Sequence, residues 1–210
     1  MQILAISGSL RAASTNTTLL KAAAALAPED VMFNLYDGLG DLPHFNPDLD
    51  EDPPHAAVAE FRFQLGKSAG VIFFSPEYAH GVPGVLKNAL DWVVASGELY
   101  EKPVALFSAS PRAGYAQASL VETLTVMSAR VVREASIVVP LLGKNLHESE
   151  IVAEPDLSRA VRSALTAFAR ATSTMEDDNY AQFSGNKKPN TNGAKGADMK
   201  MLSCSAHRGR

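Results

Sequence analysis

Cys204 is the only cysteine in the 210-residue chain, so no disulfide can form within it and a secreted, disulfide-stapled scaffold is excluded. Excess charge of one sign is also scarce. Nineteen basic and 23 acidic side chains leave a net charge of −4, too weak a field to gather nucleic acid. The apolar run at the N-terminus is too short for a signal or a span and has no basic leader, so a cytoplasmic setting with no membrane partner is expected. Two nucleotide-binding signatures are missing as well. No G-x-G-x-x-G follows the first apolar run, and no G-x-x-x-x-G-K-[ST] occurs, which argues against a dinucleotide pyrophosphate site and against NTP hydrolysis. The five histidines are scattered without metal-ligand spacing, so no metal site is expected.

What is present is a regular alternation. Five apolar runs, at residues 2–6, 31–35, 71–74, 104–107 and 131–139, are rich in Val, Ile and Phe and barely alternate, as strands buried on both faces do. Between them lie segments of helical period, at 16–27, 56–67, 85–95, 117–129 and 157–171. Five strand–helix units predict an α/β fold with helices on both faces of a parallel five-stranded sheet, in the flavodoxin-like order 2-1-3-4-5. The composition changes after residue 172. From Thr174 on there is no Val, Ile or Trp, and Asn, Lys, Gly, Ser and Asp crowd the chain. A folded domain over 1–172 with a disordered polar tail over 173–210 is therefore expected.

In such a sheet, ligands sit beyond the carboxyl ends of strands one, three and four, near the point where strand order reverses. The loop after strand one reads Ser7-Gly8-Ser9-Leu10-Arg11-Ala12-Ala13-Ser14-Thr15-Asn16-Thr17 and enters a helix. Backbone N–H groups at a helix N-terminus, hydroxyls at Ser9, Ser14, Thr15 and Thr17, and the Arg11 guanidinium suit a phosphate monoester. Helix capping by Ser14 to Asn16 accounts for one or two of these residues, not for all of them. The loop after strand three, Ser75-Pro76-Glu77-Tyr78-Ala79-His80-Gly81-Val82-Pro83-Gly84, is stiffened by two prolines and offers the aromatic face of Tyr78. It is followed by Val85-Leu86-Lys87-Asn88-Ala89-Leu90-Asp91-Trp92.

Gly8-Ser9-Leu10-Arg11 with Ser14 and Asn16, and Pro76-Glu77-Tyr78 with Pro83-Gly84 and the 86–92 run, resemble the NADPH-dependent FMN reductase family, flavodoxin-like enzymes that include quinone, chromate and azo reductases. The resemblance extends to about residue 171. It implies that Ser9, Arg11, Ser14, Asn16 and Thr17 hold the FMN phosphate, and that Pro76, Glu77, Tyr78 and Ala79 line the isoalloxazine edge. The family usually carries Asn at the position of Ala79, which puts one hydrogen bond near the flavin in doubt; His80 either compensates or simply faces solvent. In the loop after strand four, Ser108-Ala109-Ser110-Pro111-Arg112-Ala113-Gly114-Tyr115, the match is partial. Ser110 and Gly114 are the candidate flavin contacts there, and Arg112 is either a substrate-side contact for nicotinamide phosphates or a surface residue.

The implied chemistry is hydride transfer from NADPH or NADH to flavin N5, then ping-pong reduction of a small acceptor: a quinone, free flavin, azo compound or metal oxyanion. The flavin carries the chemistry, so no catalytic side chain is expected, and the resemblance implies a homodimer or a dimer of dimers. The rival reading is a flavodoxin-like electron carrier working between protein partners. A phosphate-binding domain without flavin is the third.

Overall fold

The computed structural model describes residues 1–141 and 143–184. Its central sheet contains β1 (Gln2–Ser7), β2 (Met32–Tyr36), β3 (Gly70–Phe74) and β4 (Pro103–Ser108), with two short strands, β5 (Arg130–Val131) and β6 (Ile137–Val138). All pairings are parallel and the order is β2-β1-β3-β4-β5, with β6 also on β4. This is the expected flavodoxin-like topology. β1 and β3 lie side by side while β2 sits outside β1, so chain direction across the sheet reverses between β1 and β3.

Why these runs barely alternate is visible in the packing. Ile3 and Ala5 of β1, Ile72 and Phe74 of β3, and Ala105 and Phe107 of β4 face one core. Their neighbours Leu4 and Ile6, Val71 and Phe73, and Val104 and Leu106 face a second core on the opposite side. Each strand thus obeys the period of two while both faces are apolar. Helices α1 (Thr15–Ala25), α5 (Glu148–Ala153) and α6 (Pro155–Ser184) cover the first face. Helices α2 (Ala56–Lys67), α3 (Gly84–Asp91) and α4 (Gly114–Val126) cover the second. Every residue of β3 and β4 is buried, and each large apolar side chain there contributes about 1.5–3 kcal/mol.

Four expectations need correction. The single strand expected over 131–139 is two strands separated by a 3-10 turn, Arg133–Ala135. At the break the Ser136 hydroxyl accepts the Leu106 N–H at 3.1 Å and donates to the Val132 carbonyl at 3.0 Å, replacing a ladder bond by a side chain. Helix α3 ends at Asp91 instead of residue 95, where the Arg62 guanidinium takes the Trp92 carbonyl at 2.6 Å. Helix α4 begins at Gly114 instead of residue 117. Helix α6 starts at Pro155, a favoured first-turn proline, and runs past residue 172 to Ser184. The first part of the expected tail is therefore helical; residues 185–210 lie outside the described residues. The small helix α5 carried no clear periodic signal in its six residues.

Helix α3 also organises the long segment between β2 and α2. The Asn88 amide donates to the Pro43 carbonyl at 2.9 Å and accepts the Phe45 N–H at 2.8 Å. One turn later the Trp92 indole N–H reaches the same carbonyl at 2.8 Å. The Asn88 and Trp92 spacing of four thus serves as a two-point clamp. Trp92 itself is buried, as a packing residue should be. Among the described residues no helix is long and apolar enough to cross a membrane.

Candidate active site

The loops after β1, β3 and β4 meet around a crevice of about 390 Å³ at the carboxyl edge of the sheet. Its size falls within the range of small-molecule sites. Ser9, Arg11, Ser14 and Asn16 line it from the first loop, Pro76, Glu77, Tyr78, Ala79 and His80 from the second, and Ser110 and Arg112 from the third. Thr15 and Ala109 complete the lining. Eleven of the thirteen candidate residues therefore come together. Thr17 and Gly114 do not. The Thr17 hydroxyl turns inward to Ser7 Oγ at 2.7 Å, and Gly114 is the first residue of α4, outside the lining.

Four side-chain contacts stitch the three loops to one another and to α4. Ser9 Oγ lies 3.3 Å from the Tyr78 hydroxyl, joining loops one and two. Buried Asn16 accepts the Ala109 N–H at 3.0 Å through Oδ1, joining loops one and three. Its side chain therefore braces the crevice through Oδ1 while the residue remains part of the lining. The Glu77 carboxylate accepts the Ala116 N–H at 2.9 Å, joining loop two to the first turn of α4. Residue Ala113, at the cap position of α4, has no side-chain cap of its own, so Glu77 supplies the missing acceptor and places negative charge at the positive end of the helix. Finally, the His80 and Tyr115 rings stack at 4.3 Å with an interplanar angle of 8°.

The first loop is built to leave donors free. Ser14 is the N-cap of α1 and accepts the Thr17 N–H at 3.3 Å, so the capping reading holds for this residue. The N–H groups of Thr15 and Asn16 in the same first turn have no intrahelical acceptor and border the crevice. Arg11 and Arg112 are exposed, and among the described residues neither forms an ion pair. Glu77 is the one acid in the lining, and its carboxylate is engaged by α4. Two guanidinium groups, a helix N-terminus and small hydroxyls thus face one opening, a donor set that fits a phosphate monoester. Beside it, Tyr78 and Pro76 give flat, stiff apolar surface.

The loop-two tip is conformationally unusual. Tyr78 and Gly81 exchange backbone hydrogen bonds of 3.1 and 2.9 Å around a two-residue turn. Both central residues are left-handed, Ala79 at φ 49° and His80 at φ 60°, although neither is glycine. The turn is of the kind that favours Asn at its first central position, so Ala79 occupies it at a steric cost of about 1–2 kcal/mol.

Comparison with known proteins bears on this geometry. The family model for NADPH-dependent FMN reductases matches residues 1–141, two thirds of the chain. The chain belongs to this family. It is 45% identical over 92 residues to a 2-hydroxy-1,4-benzoquinone reductase of Burkholderia sp, a match covering 44% of the chain and 49% of the relative. The chain thus spans about half the length of that relative. An NAD(P)H-dependent FMN reductase of Pseudomonas aeruginosa is 34% identical over 144 residues, with 66% of the chain and 77% of the relative covered. Among solved structures, the flavoenzyme NAD(P)H:(acceptor) oxidoreductase FerB of Paracoccus denitrificans superposes with a TM-score of 0.66 at 28% identity. That match covers 80% of the chain and 97% of FerB. For an FMN reductase family member, the crevice lies where the fold's ligand loops converge, and all three are present.

Proposed function

We propose that this chain is an NAD(P)H-dependent reductase that holds FMN in the crevice and reduces small acceptors there. The observation that carries the reading is the stitched crevice itself, lined by two guanidinium groups that form no ion pair among the described residues, by the α1 N-terminus and by Tyr78. In it, Arg11, Ser9 and the free N–H groups of Thr15 and Asn16 hold the phosphate, while Pro76, Tyr78 and Ala79 border the flavin ring. Ser110 contacts it from the third loop, and Arg112 meets the phosphates of the nicotinamide nucleotide.

When bound, the flavin supplies the two-electron chemistry, and the protein supplies binding, orientation and electrostatics. Glu77 acts on α4 and keeps loop two in register with it. The relatives named as quinone and FMN reductases favour a quinone or flavin as acceptor. The chain works as a homodimer or a dimer of dimers in the cytoplasm.

One crevice serving donor and acceptor requires alternating occupancy, because only a partner within a few ångströms can exchange hydride. Purified protein should take up FMN in a 1:1 ratio and release FMN, not FAD, on denaturation. Initial rates against NADPH at several fixed quinone concentrations should give parallel lines. A protein that binds no FMN overturns the reading, and intersecting lines overturn the shared site.

A further inference from the structure

We infer that His80 selects flat, carbonyl-bearing aromatic acceptors at the crevice, and that Tyr115 is a positioning residue acting through it; this rests on the reductase reading above. His80 borders the crevice, whereas Tyr115 stands outside its lining on the first turn of α4. Their rings lie face to face at 4.3 Å and 8°, close to parallel and well within stacking distance. Tyr115 is 65% exposed, so core packing does not account for its ring. The stack is the contact that gives it a structural task.

The backbone adds an independent argument. His80 sits at φ 60° behind Ala79 at φ 49°, a pair of left-handed residues without glycine. Such a turn persists only when its surroundings hold it. Here the holding contacts lie on both sides, the Glu77 carboxylate on the Ala116 N–H before the turn and the Tyr115 ring on the imidazole within it. The result is an imidazole fixed at the crevice edge with one face covered by a phenol. It offers a planar surface and ring nitrogens able to donate to a carbonyl oxygen. A quinone matches both features. An octahedral anion such as ferricyanide matches neither, although two such ions together take the same two electrons as one quinone.

The test compares Tyr115→Ala, Tyr115→Phe and His80→Ala with the parent protein, using 1,4-naphthoquinone and ferricyanide as acceptors. In the two alanine variants, kcat/KM for naphthoquinone relative to that for ferricyanide should fall about 3- to 10-fold, the size expected of one aromatic stack. Tyr115→Phe should restore the parent ratio, since the ring remains. A second readout needs no turnover. In flavin-free protein, nuclear magnetic resonance should show the His80 ring protons shifted by the Tyr115 ring current, and naphthoquinone should perturb them with a saturable midpoint that weakens in Tyr115→Ala. An unchanged acceptor ratio, failure of Tyr115→Phe to rescue, or His80 signals indifferent to naphthoquinone would each overturn the inference. Failure of the parent protein to take up FMN would instead overturn the reductase reading, and the flavin-free titration would still decide the role of His80.

Discussion

Arg11 draws its importance from the absence of any acidic partner beside it. Among the described residues it forms no ion pair, yet it stands at the crevice next to the open N–H groups of α1. A cation in that position is available for a dianion, and a charged hydrogen bond contributes roughly 1.5–3 kcal/mol. Arg11→Ala should weaken FMN by about that amount and riboflavin, which has no phosphate, far less. Calorimetric titration with the two ligands checks this, and equal losses would make Arg11 structural. Asn16 shows the limit of reading such loops one residue at a time. Its polar type and position suit a phosphate ligand through its amide N–H donors, and its Oδ1 has a second task that the loop does not show, accepting the Ala109 N–H 93 residues away in the chain. The type of a side chain is local information; its orientation is decided by whichever partner folding brings within reach.

At the scale of single elements, the strands and most helices are where the periodicity puts them, because burial on both sheet faces writes itself into composition. The ends of elements follow other rules. Helix α4 starts three residues before the periodic signal because Glu77, from a distant loop, caps it. Helix α3 stops early because Arg62 of α2 takes its terminal carbonyl. The Glu77 contact can be weighed directly. Glu77→Ala should lower unfolding free energy by about 0.5–2 kcal/mol, the usual cost of a lost cap. Glu77→Gln keeps an acceptor oxygen and loses only the charge–dipole part, about 0.3–1 kcal/mol. Urea denaturation of the two variants separates these cases. Equal destabilisation would mean that the hydrogen bond to Ala116 contributes nothing beyond charge.

For the molecule as a whole, folding also changes the titration of groups far from the crevice. Burial, with Asp41, Glu60 and Asp37 close by, pushes the Tyr36 phenol up to about 12 from its ordinary value near 10.0. Burial pulls the Lys102 ammonium the other way, below its ordinary value, although Glu98 opposes the shift and Nζ donates to the Ser68 carbonyl at 2.6 Å. For Tyr36 the folded chain keeps its proton longer than the unfolded chain does. Its stabilising share is therefore complete below about pH 10 and fades as pH climbs towards 12. Tyr36→Phe should make the fall in stability over that window shallower, measured as urea midpoints at stepped pH. An identical slope in the variant would show that other groups control alkaline unfolding.

The chain by itself determined the α/β class, the five-unit order and the three ligand loops, because strands buried on two faces and glycine- and proline-marked turns leave short-range patterns. It also identified eleven of the thirteen residues that line the crevice. Tertiary structure alone decided which of those residues face the opening and which brace it. Asn16 and Glu77 turned to backbone N–H groups on other elements, Thr17 turned inward to Ser7, and Tyr115 gained a stacking partner from loop two. Each of these contacts joins residues ten or more positions apart, up to 93, so no local period encodes it. Hydrogen bonds and ring stacks of this kind depend on distance and angle after the loops have met, and that meeting is a property of the assembled sheet.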